Sequence, residues 1–174
     1  MNKSEVVKNI IDGKIVAIFQ GGSEWGPRAL GNRSILFDPR NPDAKDIVNK
    51  VKKREWYRPF AGTILLEHAN DYFDMVTIKE TPYMSYAIPA KQKAKDEVPG
   101  IIHVDGTCRI QTVTREQNKH FYDLIEEFYK QTGVPILFNT SFNLAGEPLV
   151  ETLEDAKDTV NRSDIDLLYT PELL

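Results

Sequence analysis

The chain has one cysteine, Cys108, and three scattered histidines, His68, His103 and His120. A single cysteine excludes an internal disulfide framework and any thiolate zinc cluster. No His-x-x-x-His or Cys/His pairing is present, so no metal-ligating residue is assigned. No apolar run approaches the roughly 20 residues that a membrane helix needs. Residues 1–14 read as amphipathic rather than as a signal peptide. Without a sign of secretion, the Asn-x-Ser/Thr matches at Asn32, Asn139 and Asn161 carry no weight as glycosylation sites. The expected compartment is the cytoplasm, with no membrane partner.

What is present is an ordinary globular composition: 174 residues, 41% hydrophobic and 28% charged, with ten Gly and ten Pro. Collagen-like, low-complexity and disordered classes fall away, and the length suits one compact domain over 1–174. The net charge of −4 is unevenly spread. Residues 1–60 carry 12 Lys and Arg against 7 Asp and Glu, whereas residues 61–174 carry 10 against 19. Such asymmetry suits a basic half facing an anion, although from counts alone a salt-bridged surface explains it better.

Apolar periodicity predicts a short helix from Ser4, with Val6, Val7, Ile10 and Ile11 on one face and Gly13 as its stop. Strands are expected at 14–19, 34–37, 60–66, 83–88, 135–138 and 165–169. Pro42 opens a helix to about Arg54, residues 114–132 form the longest helix, and Thr152 caps another to about Arg162. Residues 91–99 read as a surface loop, and 101–104 with 109–113 as a hairpin around Asp105-Gly106. Strands and helices mixed in this order predict a single α/β (α+β) domain without repeats or a linker.

Four polar segments sit where strands end or helices begin. Residues 21–33 hold four glycines with Glu24, Arg28 and Arg33, allowing close backbone approach to a ligand, yet match neither a P-loop nor a Gly-x-Gly-x-x-Gly fingerprint. Residues 49–60 place Lys50, Lys52, Lys53, Arg54 and Arg58 among Trp56, Tyr57 and Phe60. Guanidinium forks, compact ammonium charges and stacking rings suit phosphate or nucleotide. A solvated helix end, or an RNA-binding surface, explains that segment alone as well.

The third segment, 103–111, would put Arg109 and Gln111 on one face of a strand and Cys108 with Ile110 on the other. His103 is an acid–base candidate, though a lone histidine is more often a structural residue, and Cys108 reads as a small core residue. The fourth, 138–148, sets Asn139, Thr140, Ser141 and Asn143 after an apolar strand, where hydroxyls and amides can hydrogen-bond a small polar ligand. Ser141 has no Gly-x-Ser-x-Gly elbow and no His–Asp pair placed to activate it, so it reads as a binding hydroxyl. A local Asx or Ser turn competes with that assignment.

Together the four segments resemble the C-terminal domain of the O-carbamoyltransferases that modify nodulation factors, cephamycin-type antibiotics and aminoglycosides. The matching stretches are Glu24-Trp-Gly-Pro-Arg-Ala-Leu-Gly-Asn-Arg-Ser34 with Asp38-Pro-Arg40, and Val51-Lys-Lys-Arg-Glu-Trp-Tyr-Arg-Pro-Phe-Ala61. His103-Val-Asp-Gly-Thr-Cys-Arg-Ile-Gln111 follows, then Val134-Pro-Ile-Leu-Phe-Asn-Thr-Ser-Phe-Asn143 and Gly146-Glu-Pro148. The resemblance implies a YrdC-like fold, a twisted mixed sheet with flanking helices and a concave basic site. It implies that carbamoyl phosphate and ATP, the latter Mg-bound as co-substrate, become carbamoyl adenylate with release of phosphate and pyrophosphate. The carbamoyl group would then pass to a hydroxyl acceptor in an N-terminal, metal-binding domain absent from these residues, either a separate chain or a missing part.

Carried over by motif, Arg28, Lys52, Arg58 and Arg109 would grip phosphate and carbamoyl oxygens beside Ser141. Arg33, Arg54, Asn139, Thr140 and Asn143 would contact the nucleotide or carbamoyl group, with Glu24 and His103 orienting the rest. One departure is Gly62-Thr63, where the family often has Pro after Arg-Pro-Phe-Ala. Two other readings stand beside the enzyme: a non-catalytic nucleotide- or RNA-binding module, against which the negative net charge weighs, and a partner domain with a vestigial site.

Overall fold

The computed structural model describes residues 1–171. Its elements run α1 (Lys3–Ile11), β1 (Val16–Phe19), β2 (Arg33–Phe37), α2 (Ala44–Val51), β3 (Ala61–Leu65) and the short α3 (Ala69–Tyr72). Then follow β4 (Ala87–Pro89), α4 (Gln92–Glu97), β5 (Thr107–Val113), α5 (Lys119–Thr132), β6 (Ile136–Ser141), α6 (Leu153–Asn161) and β7 (Leu167–Tyr169). The strands form one mixed sheet in the order β4-β5-β3-β6-β2-β1-β7. Parallel pairs β3–β5 and β1–β7 are joined through antiparallel β6 and β2. Helices α1 and α5 pack on each other, α5 also against β3 and β6, and α6 against β1 and β7.

The core is continuous from α1 to β7. Phe121, Leu124, Ile125 and Phe128 line the buried stripe of α5, spaced as a helix requires. Phe138 meets Phe37 edge-on at 6.3 Å and Phe60 at 4.5 Å, which ties β6 to β2 and to the entrance of β3. Each such ring removed from water stabilises the fold by roughly 1.5–3 kcal/mol.

Local chemistry moved several expected boundaries. Asn2, not Ser4, caps α1 through a reciprocal pair with Glu5. Residues 92–97 form α4 instead of a loop: a six-residue helix needs one buried position, Ala94, too few to leave a periodic pattern. Helix α2 ends at Val51, and α5 starts after Asn118, whose side chain accepts from the Phe121 N–H. Of the expected strand 83–88 only Ala87 and Ile88 pair, in a strand that runs on to Pro89, since Met84 has φ +53° and breaks the alternation. The Asp105-Gly106 turn exists, with Gly106 N–H donating to His103 O, but Pro99–Ile101 is a 3₁₀ turn and both edges of β5 pair with β3 and β4. Strand β6 continues through Ser141, carrying Asn139, Thr140 and Ser141 out of the expected polar loop.

Candidate functional site

A cleft opens where β3 and β5 begin and the antiparallel β6 ends. Register builds its floor: Ala61 is paired with Arg109 on one side and Asn139 on the other, so cation, small residue and amide stand in a row. Ala61 leaves the space between its two larger neighbours open. Thr140 and Ser141 continue the lining along β6, His103 and Phe60 form one wall, and Arg28 and Arg54 reach in from loops.

The Arg28 loop is held from below by the sheet. Glu24 Oε1 accepts the N–H groups of Leu30 (2.8 Å), Asn32 (2.7 Å) and Arg33 (3.3 Å). Gln111 Nε2 donates to Leu30 O at 3.0 Å, and Asn139 Nδ2 to Ala29 O at 3.2 Å and to Thr63 Oγ1 at 2.9 Å. The Thr63 hydroxyl donates in turn to Gln111 Oε1 at 2.8 Å. This buried chain of amides and a hydroxyl fixes the loop rigidly, because partners left unmade there would be costly. Asn139 Oδ1 is buried and has no partner among the described residues. Gly31, at φ +109°, comes so close to Phe121 that an added Cβ would lie 2.1 Å from the ring.

Three guanidiniums face the cleft and no carboxylate lines it. Arg28 has one long contact, 3.5 Å to Pro27 O, and the Arg109 guanidinium has no hydrogen bond or ion pair among the described residues. Burial, then the charge of Arg109, holds Arg28 below its ordinary pKa. Arg54 donates to Asn49 Oδ1, lies 4.1 Å over the Phe60 ring, and is pushed down to about 10 by burial and then by Arg58. Like charges converging without a counter-charge repel one another, and an anion placed between them would remove that repulsion.

Lys52 stands behind this cleft. Only 2% exposed, its Nζ donates to Ser141 O, to Asn143 O at 2.8 Å and to Asn143 Oδ1 at 3.0 Å, with Ser141 Oγ at 3.3 Å. Its own carbonyl accepts from Ala145 N–H at 2.9 Å. Lys52 is thus clamped between α2 and the end of β6; burial first, then Arg54 and Arg58, push its pKa down to about 7. Ser141 Oγ donates to Asn143 Oδ1 at 2.7 Å, and Asn143 Nδ2 donates to Glu147 O at 2.7 Å, so this cluster satisfies itself.

The sequence motifs therefore divide. Arg28, Arg54, Arg109, His103, Asn139, Thr140 and Ser141 meet at the cleft, while Lys52 and Asn143 brace it from behind. Arg58 is half exposed, in an ion pair with Glu55 at 3.0 Å outside the cleft lining. Arg33 lies buried 3.6 Å from the Phe19 ring and donates to the carbonyls of Gln20, Gly21, Asn32 and Glu151, bracing the glycine loop rather than lining the cleft. Both His103 nitrogens are engaged, Nε2 with Phe60 O at 2.9 Å and Nδ1 with Thr107 Oγ1 at 3.3 Å, which holds the wall upright. Sequence reasoning overlooked Asn49 and Thr63. Asn49 Nδ2 donates to Trp56 O and Arg58 O, both at 3.1 Å, ordering the basic loop; a buried amide on the apolar face of α2 was its one visible signal. No group of three or more His, Cys, Asp or Glu is arranged to hold a metal among the described residues, and no described helix is long and apolar enough to cross a membrane.

Residues 7–174 match the family described as Carbamoyltransferase C-terminus. The chain belongs to that family. It is 47% identical over 173 residues to nodulation protein NolNO of Sinorhizobium fredii, covering 98% of this chain and 25% of that one. It is 45% identical to nodulation protein NolO of Bradyrhizobium diazoefficiens over 94% of this chain and 30% of that one. This member of the carbamoyltransferase C-terminus family thus spans a quarter to a third of the length of those relatives. Its fold is YrdC-like: full-length HypF in its phosphate- and nucleotide-bound form superposes with TM-score 0.68 over 96% of this chain and 24% of that one, at 22% identity. Sua5 of P. abyssi gives 0.64 over 95% of this chain and 47% of that one, at 12% identity.

Proposed function

We propose that this carbamoyltransferase-family domain forms carbamoyl adenylate from carbamoyl phosphate and ATP, for transfer to a hydroxyl acceptor held by another domain. The observation that carries this reading is the cleft into which Arg28, Arg54 and Arg109 converge without a carboxylate. The chemistry needs such a place. Water splits carbamoyl phosphate into carbamate and phosphate; a carbamate oxygen then attacks the α-phosphorus of ATP, and the bond to pyrophosphate breaks. Negative charge builds on the phosphoryl oxygens as this happens, and preorganised guanidiniums stabilise it without reorganising. Arg109 and Arg28 hold phosphoryl oxygens in forked bonds, and Arg54, braced by Asn49 and Phe60, supplies the third charge. The Asn139 amide, with Thr140 and Ser141, orients the carbamoyl group. Lys52 keeps Ser141 and Asn143 in place, and Mg²⁺ enters with the nucleotide as part of the substrate.

ATP–pyrophosphate exchange that depends on carbamoyl phosphate tests the reading directly. Exchange in the wild type that is lost in Arg109→Ala supports it. RNA affinity with a steep salt dependence and no exchange would instead favour a binding module.

A further inference from the structure

Helix α2 ends on a conformation that its sequence does not favour. Lys53 follows the helix at φ +55°, in the left-handed region where glycine is the usual residue. There the Lys53 N–H donates to Lys50 O and the Arg54 N–H to Asn49 O, both at 3.1 Å, the paired bonds of a Schellman turn. A lysine is kept in such a conformation only where its surroundings over-determine it. The surroundings converge on Asn49, which is only 1% exposed on the buried face of α2. Its Oδ1 accepts from Arg54 Nε, and its Nδ2 donates to Trp56 O and Arg58 O, both at 3.1 Å. Asn49 therefore holds Arg54 twice, by backbone and by side chain, and ties down the segment that follows.

The place where Arg54 is held decides what stays free. The grip is on Nε, with the guanidinium carbon 4.1 Å from the centre of the Phe60 ring. Of the terminal nitrogens, Nη2 has one long contact, 3.5 Å to Pro59 O, and Nη1 makes no hydrogen bond among the described residues. The fork stays available to the cleft that Arg54 lines. A carboxylate in place of Asn49 would hold Nε equally well, and would cancel the charge that it held. An amide oxygen is neutral, so the pin and the charge coexist.

We infer that Asn49 is a positioning residue for the anion site, aiming Arg54 into the cleft without neutralising it and acting on the anion through Arg54. The inference rests on the cationic cleft being the phosphate site. Asn49 itself does not line the cleft, and its side chain makes no hydrogen bond with Arg28 or Arg109. The share of anion binding carried by those two arginines is therefore independent of it.

A double-mutant cycle tests it, with inorganic pyrophosphate as the probe in calorimetric titrations of the full chain. Arg54→Ala weakens pyrophosphate about tenfold, the loss of one charge-assisted contact. Asn49→Ala weakens it about fivefold, because the released guanidinium regains its rotamers and must be ordered by the ligand. In the Arg54→Ala background the same Asn49→Ala change alters affinity by less than about twofold. An equal loss in both backgrounds is what general loosening of the cleft would give, and it overturns the inference. Unchanged affinity in Asn49→Ala alone overturns it too. Arg54→Lys covers the case in which Asn49→Ala does not fold, since Arg54 is only partly buried and its replacement spares the core. The lysine keeps the charge but has no Nε for Asn49 to hold, and it weakens pyrophosphate about fivefold. Wild-type affinity in Arg54→Lys would show that charge suffices without the pin, and overturns the inference while the phosphate site stands. Failure of the wild type to bind pyrophosphate overturns the phosphate site, and this inference with it.

Discussion

Lys52 and Ser141 lie 89 positions apart, and the Lys52 ammonium donates to both the carbonyl and the hydroxyl of Ser141 from a position almost wholly out of water. Sequence motifs place these residues side by side as ligands for substrate. The structure makes one of them the support of the other. The Lys52 ammonium is held by oxygens of Ser141 and Asn143, which fixes its charge at the end of β6 beside the cleft.

That arrangement has a pH signature. The Lys52 pKa is depressed from 10.5 to about 7 in the folded chain, so between these values the unfolded chain holds more protons than the folded one. Stability contributed through this group therefore rises with pH across about 7 to 10.5 and is flat below about 7. Urea unfolding of wild type and Lys52→Met over pH 6–10 should show the wild type gaining stability relative to the variant as pH increases. Parallel curves would remove Lys52 as the source.

Of the three guanidiniums lining the cleft, Arg109 alone has no hydrogen bond or ion pair among the described residues, so its loss should be felt by ligand before fold. Arg109→Ala should keep its melting temperature within a few degrees and lower carbamoyl-phosphate-dependent exchange by about 10²–10³-fold, the usual cost of removing one preorganised donor for developing charge. Arg28→Ala should behave alike, and its effect should exceed that of Arg58→Ala, which breaks only an exposed pair with Glu55.

Gly31 makes a stability prediction independent of ligand. Its φ of +109° disfavours any L side chain, and an alanine methyl would lie 2.1 Å from Phe121 Cδ1, a ring with 0% exposure that cannot swing away. Gly31→Ala should destabilise by about 3 kcal/mol, a fall in melting temperature of roughly 6–12 °C for a chain of this size. Calorimetry should show no comparable loss for Gly22→Ala, where the same methyl meets nothing.

How much was legible depended on how local the cause was. The α5 stripe and its glycine stop were readable because helical spacing and a left-handed residue, Gly133 at φ +77°, are written within one turn of chain. The alternation of Arg109 and Gln111 against Cys108 and Ile110 was readable for the same reason. Thr63 was not: it matters because Asn139 and Gln111, 76 and 48 positions away, meet on its hydroxyl, and no local pattern announces a three-strand register. Motif spacing also cannot tell a guanidinium aimed at a ligand from one aimed at the backbone, which is why Arg28 and Arg33 looked alike.

Arg33 can be separated from the cleft-lining arginines by experiment. Its guanidinium donates to the carbonyls of Gln20 (2.6 Å), Asn32 (3.0 Å), Gly21 (3.1 Å) and Glu151 (3.2 Å), joining both ends of the glycine loop to the segment before α6. A lysine keeps the charge but has neither the planar fork nor the reach over Phe19 to serve all four. Arg33→Lys should therefore lower stability by about 2–4 kcal/mol, as expected when buried carbonyls lose a charged donor. A direct ligand contact would weaken phosphate binding in the folded fraction; a brace weakens it only as far as the loop melts. Phosphate titration well below the variant's melting temperature separates the two, and affinity within about threefold of wild type beside a clear loss of melting temperature is the outcome that the four carbonyl contacts require.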